Sequence, residues 1–123
     1  MKFFYWNIRG VANNVSRLSL LNFCKEISPD IVYLAEPMMN PIDFPLNFLS
    51  SINMSIFAFN LRNDVSKFWI LISNRISRPS IVSNSDQEIT LDFANQTNEF
   101  CVTFVYGSVL PNSRRGLWDH LRH

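Results

Sequence analysis

Polar side chains stand where three apolar runs of this chain give out. Asn7 closes the run from Phe3 to Trp6, Glu36 closes the run from Ile31 to Ala35, and Tyr106 closes the segment from Phe100 to Val105. A carboxylate and an amide oxygen presented together from rigid strands suit a hard cation such as Mg2+, which takes oxygen ligands and keeps several waters. By spacing alone this is weak evidence, because strand ends more often carry Asn or Glu simply where the chain meets water. Tyr106 also reads in two ways, as a rim residue with a buried ring and a wet hydroxyl, or as a phenol donating a hydrogen bond to a phosphate oxygen. Arg114 and Arg115 open a helical pattern against the macrodipole preference for acidic residues in a first turn, so contact with an anion is as good a reading as a solvated pair. Other chemistries find no support. Cys24 and Cys101 are far apart with no CxxC pair and read as two small buried hydrophobes, His120 and His123 read as surface residues, and three glycines leave no phosphate-cradling loop.

The elements that must carry these residues follow from periodicity. The stretch "NNVSRLSLLNFCKEISPD" spaces Val15, Leu18, Leu21 and Cys24 three apart with Leu20, Phe23 and Ile27 beside them, which predicts a helix. Asn13 or Asn14 caps its start, and Ser28-Pro29 ends it. Strand, helix and the following strand "DIVYLAE" make a βαβ unit, whose right-handed crossover places the two strands parallel and side by side or nearly so. Ligands bind outside the carboxyl ends of such strands, where Asn7 and Glu36 both fall. The proline-rich stretch from 37 to 53 reads as a surface loop with one helical turn. Strands are expected at 54–59, 67–73, 80–82, 87–94 and 99–106, an antiparallel second half closed by a hairpin at Asn95 to Asn98. Leu117, Trp118 and Leu121 predict a terminal helix.

The totals constrain the rest. With 123 residues, 47% of them hydrophobic, the chain fits one domain with a genuine core. Eleven basic against ten acidic residues leave a net charge of +1, so anion binding must be local rather than driven by a whole-molecule field. Asn7 and Arg9 interrupt the N-terminal apolar run before a signal-peptide core or a membrane span forms, and the cysteines fit a reducing compartment, so an intracellular, non-secreted protein without membrane association is expected.

Three segments, "FFYWNIRG", "SPDIVYLAEPMM" and "FCVTFVYGSVLPNSRRGLWDHLRH", resemble in order and approximate spacing the start of the endonuclease/exonuclease/phosphatase superfamily domain. The likeness is closest to the endonuclease domains of plant LINE-type non-LTR retrotransposons, and Gly10 and Gly107 fall on that family's glycine positions. The resemblance implies an α/β fold over residues 1–123, the N-terminal half of a four-layer α/β sandwich built from the βαβ unit and antiparallel strands in a mixed sheet, and incomplete. It implies Asn7 and Tyr106 as catalytic residues, Glu36 with Asn7 as metal ligands for Mg2+ or Mn2+, and Arg9, Arg114 and Arg115 as nucleic-acid contacts. Ala35 stands where the family usually has a glutamine, and Pro37 where threonine is common.

The reaction so implied is Mg2+-assisted phosphodiester hydrolysis of DNA, on nuclear DNA if the retroelement likeness holds. The family carries its catalytic aspartate in a Gly-Asp-x-Asn motif and its histidine in a Ser-Asp-His motif, both beyond the Tyr segment, and these 123 residues contain neither. No appreciable turnover is therefore expected from the chain by itself, with a C-terminal half or a reverse transcriptase domain of a parent polyprotein as the missing partner. Two other functions share the motifs: a non-catalytic remnant that binds nucleic acid or protein, and a phosphatase of the same fold.

Overall fold

β1 (Phe3–Asn7) and β2 (Ile31–Ala35) run parallel as neighbours, Phe3 opposite Ile31 and Asn7 opposite Ala35, in the computed structural model, which describes residues 2–60, 67–85, 88–93 and 101–105. The crossover between them is α1 (Asn14–Ile27). Asn13 caps it, accepting a bond from the Val15 N–H at 2.8 Å, and Ser28 closes it in the left-handed conformation with its N–H on the Cys24 carbonyl. This ending differs from the extended geometry that a following proline favours: the left-handed cap satisfies a terminal carbonyl that an extended residue would leave to water.

The chain divides into two compact units, Met1–Arg78 and Pro79–His123. In the first, β3 (Met54–Phe59) and β4 (Phe68–Ser73) form an antiparallel pair that joins the parallel one, giving the strand order β1-β2-β4-β3. The sheet is therefore mixed, as expected. β2 and β4 are buried along their whole length, which is why their sequences are apolar without alternation. On one face Val32, Leu34, Trp69, Leu71 and Met54 meet Leu20 and Cys24 of α1, with Phe4, Trp6 and Phe23 packed alongside.

Two expectations from periodicity need correction. Val15 and Leu18 are 73% and 57% exposed, so the first half of the three-residue stripe is not part of the buried face of α1, although its last member, Cys24, is. That face is set by Leu20 and Cys24, four apart, because a helix resting on a sheet buries a narrow strip. The segment after Pro37 is more than a surface loop with one turn. A 3-10 turn (Pro41–Asp43), capped by the Asn40 side chain, is followed by α2 (Leu46–Ser51). Between them Phe44 is buried edge-on against Trp69, with ring centroids 5.3 Å apart, and Leu49 fills the same core. Prolines did not prevent this, since Pro41 sits where a helical turn has no hydrogen bond to lose.

The second unit contains the antiparallel sheet β5 (Ser80–Asn84), β6 (Glu88–Asp92) and β7 (Cys101–Val105), in that order. Ile89 lies opposite Phe104 and Leu91 opposite Val102, the predicted apolar face. Glu88 is buried, an expensive position for a carboxylate unless it is hydrogen-bonded. The Ser83 hydroxyl donates to its Oε1, and the Thr90 hydroxyl donates to Oε2 at 3.1 Å. Cys24 is buried as expected, but Cys101 is exposed, because alternation along β7 turns it to the side opposite Phe104. The hairpin at 95–98 and the terminal helix lie outside the described residues. No helix among the described residues is long and apolar enough to cross a membrane.

Candidate functional site

β1 loses its regular course just after Asn7, and the backbone shows how. The Ile8 N–H bonds the Ala35 carbonyl at 3.0 Å, after which Gly10 bonds the Glu36 carbonyl and Val11 the Pro37 carbonyl, both at 2.9 Å. The two chains thus stay tied for several residues beyond the strand ladder. Within this short stretch Arg9 (φ 50°), Glu36 (φ 53°) and Met38 (φ 56°) are left-handed, as is Gly10 at φ 108°. Side-chain-bearing residues seldom adopt that conformation, and strained backbone of this kind collects where a side chain must be aimed. The Glu36 N–H is held by the carbonyl of Lys67, the residue before β4, at 2.8 Å, so the turn is anchored from that side as well as from β1.

Asn7 is exposed at the end of β1, opposite Ala35, and Glu36 follows on the neighbouring strand. The two residues predicted to act together are brought to one end of the parallel pair. Arg9, expected to contact nucleic acid, has a side chain 80% exposed and lies with Nε 3.9 Å from Glu36 Oε2, a carboxylate-bearing side chain itself 37% exposed. A long, wet ion pair of this kind holds neither partner firmly. The guanidinium remains available to an anion.

Alternation along β1 places Tyr5 on the same face as Asn7. Its ring stacks on Tyr33 with centroids 4.8 Å apart and planes at 10°. Partial burial of the ring, and secondly the charge of Glu36, push the Tyr5 phenol above its ordinary range. The sequence analysis did not single out Tyr5, although its position two residues before Asn7 was the available signal.

The donor set suits a water-rich cation. Among the described residues no group of three or more His, Cys, Asp or Glu side chains could hold a metal ion, so a cation at these strand ends would have Glu36 as its carboxylate and the rest of its shell largely as water. Mg2+ is commonly held by one or two carboxylates and keeps the rest of its octahedron as water, and the exposed strand ends leave room for that water. A carboxylate and an amide at exposed strand ends are the oxygen donors that Mg2+ or Mn2+ would take. Tyr106, Arg114 and Arg115, predicted to face the phosphate and the nucleic acid, lie outside the described residues, as do His120 and His123. No protein-family model matches the chain, and no curated protein matches it.

Proposed function

We propose that the chain belongs to a Mg2+-dependent phosphodiesterase domain acting on DNA, of the retroelement endonuclease kind, with Asn7 and Glu36 forming its metal-binding wall. The observation that carries this reading is the emergence of Asn7 and Glu36 at the carboxyl ends of two hydrogen-bonded parallel strands, with left-handed backbone at Glu36 itself. When bound, the cation would stabilise charge on the phosphate and the leaving oxygen. Glu36 would hold the cation, Asn7 would orient it, and Arg9 would supply positive charge toward a phosphate. Tyr106 at the scissile phosphate, and Arg114 and Arg115 along the nucleic acid, come from the resemblance. Such a domain would meet its substrate in the nucleus.

Binding without turnover by these 123 residues is the favoured outcome, since a hydrolytic site also needs a base to activate water and the 123 residues contain neither the Gly-Asp-x-Asn nor the Ser-Asp-His motif that the resemblance assigns to it. Two measurements test the proposal. Mn2+ should broaden the amide resonances of Asn7, Gly10 and Glu36 selectively in the NMR spectrum, and Glu36→Ala should abolish that broadening; broadening that survives the substitution sinks the metal site. Supercoiled plasmid with Mg2+ should remain intact with the native chain. Nicking by the native chain that vanishes in Glu36→Ala would show a complete active site and refute the inactive reading.

A further inference from the structure

Arg17 is a cation that the fold holds in place and leaves without an anion. From a half-buried position its Nε donates to the Val11 carbonyl at 2.9 Å, and its guanidinium lies over the Phe44 ring, 5.1 Å from the centroid. Phe44 is buried edge-on against Trp69, so the ring that carries the guanidinium is itself fixed by the core. A guanidinium always bears its charge and has five N–H donors. Among the described residues only the Nε donor has an acceptor, and no carboxylate pairs with the group.

Neither contact accounts for the charge. A carbonyl and a ring face offset part of what it costs to take a cation out of water, and a partly buried charge ordinarily has an anion beside it. Helix stability does not call for it either. Arg17 falls in the opening turn of α1, where the macrodipole opposes a cation, and no acidic residue stands in that turn. Arg75, by contrast, spends its guanidinium on the Ser73 hydroxyl at 3.0 Å and the Ser28 carbonyl at 3.2 Å. What the two contacts of Arg17 achieve is orientation: Phe44 sets the plane of the fork, Val11 ties its Nε side, and the two Nη groups are left for a ligand.

The place of that fork in the fold is set by the same residues. The Val11 N–H bonds the Pro37 carbonyl, and the preceding Gly10 N–H bonds the Glu36 carbonyl, both at 2.9 Å. Arg17 is thus tied through Val11 to the strand ends from which Asn7 and Glu36 emerge, the end of a parallel pair at which ligands bind.

We propose that Arg17 is a phosphate-binding residue, its Nη groups taking the oxygens of a phosphate presented at the carboxyl ends of β1 and β2. The inference rests on the DNA phosphodiesterase reading for the identity of that phosphate as part of a nucleic-acid backbone, and it adds a second cation to Arg9. A planar guanidinium matches two phosphate oxygens at once, and one already held in its plane loses little freedom when the ligand arrives.

Two titrations of the full 123-residue chain, both in EDTA so that no divalent cation takes part, test the assignment. One probe is inorganic phosphate, followed by the Arg17 Nε–H resonance in the NMR spectrum; the other is a fluorescent DNA duplex, followed by anisotropy at several salt concentrations. Phosphate should shift the Arg17 resonance. Arg17→Gln should weaken duplex binding about tenfold and reduce the slope of log Kd against log salt by about one, whereas Arg17→Lys, which keeps the charge, should keep the slope. A slope unchanged in Arg17→Gln overturns the proposal even where affinity falls, because a disturbed loop and not a lost phosphate contact then explains the loss. A phosphate shift without duplex binding supports the anion site and refutes the DNA reading. Duplex binding that leaves the Arg17 resonance unmoved and does not depend on Arg17 refutes the anion site and leaves the DNA reading standing, and failure of both probes refutes both.

Discussion

Left-handed backbone at Arg9, Glu36 and Met38 is a cost carried by the residue itself, about 1 kcal/mol or more at each position. Asparagine or glycine would relieve it, yet an arginine and a glutamate occupy two of the three positions at the strand ends. That choice makes sense if the side chains matter more there than local stability. The titration of Tyr5 probes the same corner. Burial first, and Glu36 second, raise the phenol; a raised value in the folded chain means that the stabilising contribution is intact below the ordinary phenol value of about 10 and is lost as pH climbs through the folded value. Unfolding free energy should therefore fall as the pH is taken above about 10. The difference in 295 nm absorbance titrations between the native chain and Tyr5→Phe should show Tyr5 titrating above the ordinary phenol range, and Glu36→Gln should bring that titration back toward lower pH. An unaltered curve in the variant would mean that the two side chains do not sense each other.

At the scale of the element, α1 shows why apolar spacing alone misplaces a face. Leu20 is fully buried, whereas Leu18, two residues earlier and equally apolar, lies 57% exposed. Leu20→Ala should cost about 2–5 kcal/mol through the cavity it leaves, and Leu18→Ala should change stability by less than about 0.5 kcal/mol. Urea unfolding of the two variants side by side separates these values easily. Equal losses would mean that the helix presents both residues to its core. The first turn of the helix is also tied to the strand ends, because the Arg17 side chain donates from Nε to the Val11 carbonyl at 2.9 Å and lies over the Phe44 ring. The helix thus fixes the loop that follows Asn7 as well as covering the sheet.

At the scale of the whole molecule, each unit has its own sheet, and stability within the first is centred on its middle strands. β2 and β4 are buried from end to end and paired on both sides, whereas β1 and β3 are the outer strands of that sheet as described. Native-state hydrogen exchange should find the slowest amides at Tyr33, Leu34, Ile70 and Leu71, opening with a free energy near that of global unfolding, and faster exchange toward β1. Slowest exchange in β1 would contradict this order. The consequence for the site is that Asn7 stands on an outer strand and Glu36 on a central one, so the pair spans regions of different local stability.

Much of this was legible in the residues. The boundaries of α1, the βαβ crossover, the pairing of Ile89 and Leu91 with the apolar face of β7, and the placement of Asn7 and Glu36 at the same end of two parallel strands follow from local periodicity, capping and the geometry of a parallel crossover, all of which act within a few residues or one turn of chain. Tertiary structure decided what local rules leave open: which strip of α1 is buried, how Phe44 and Leu49 become core within a proline-rich stretch, that Cys101 faces outward, and that Tyr5 stacks on Tyr33. Those outcomes depend on which surfaces meet after the chain has folded back on itself, and a side chain's partners across strands are set by register and packing, which no single segment of sequence contains.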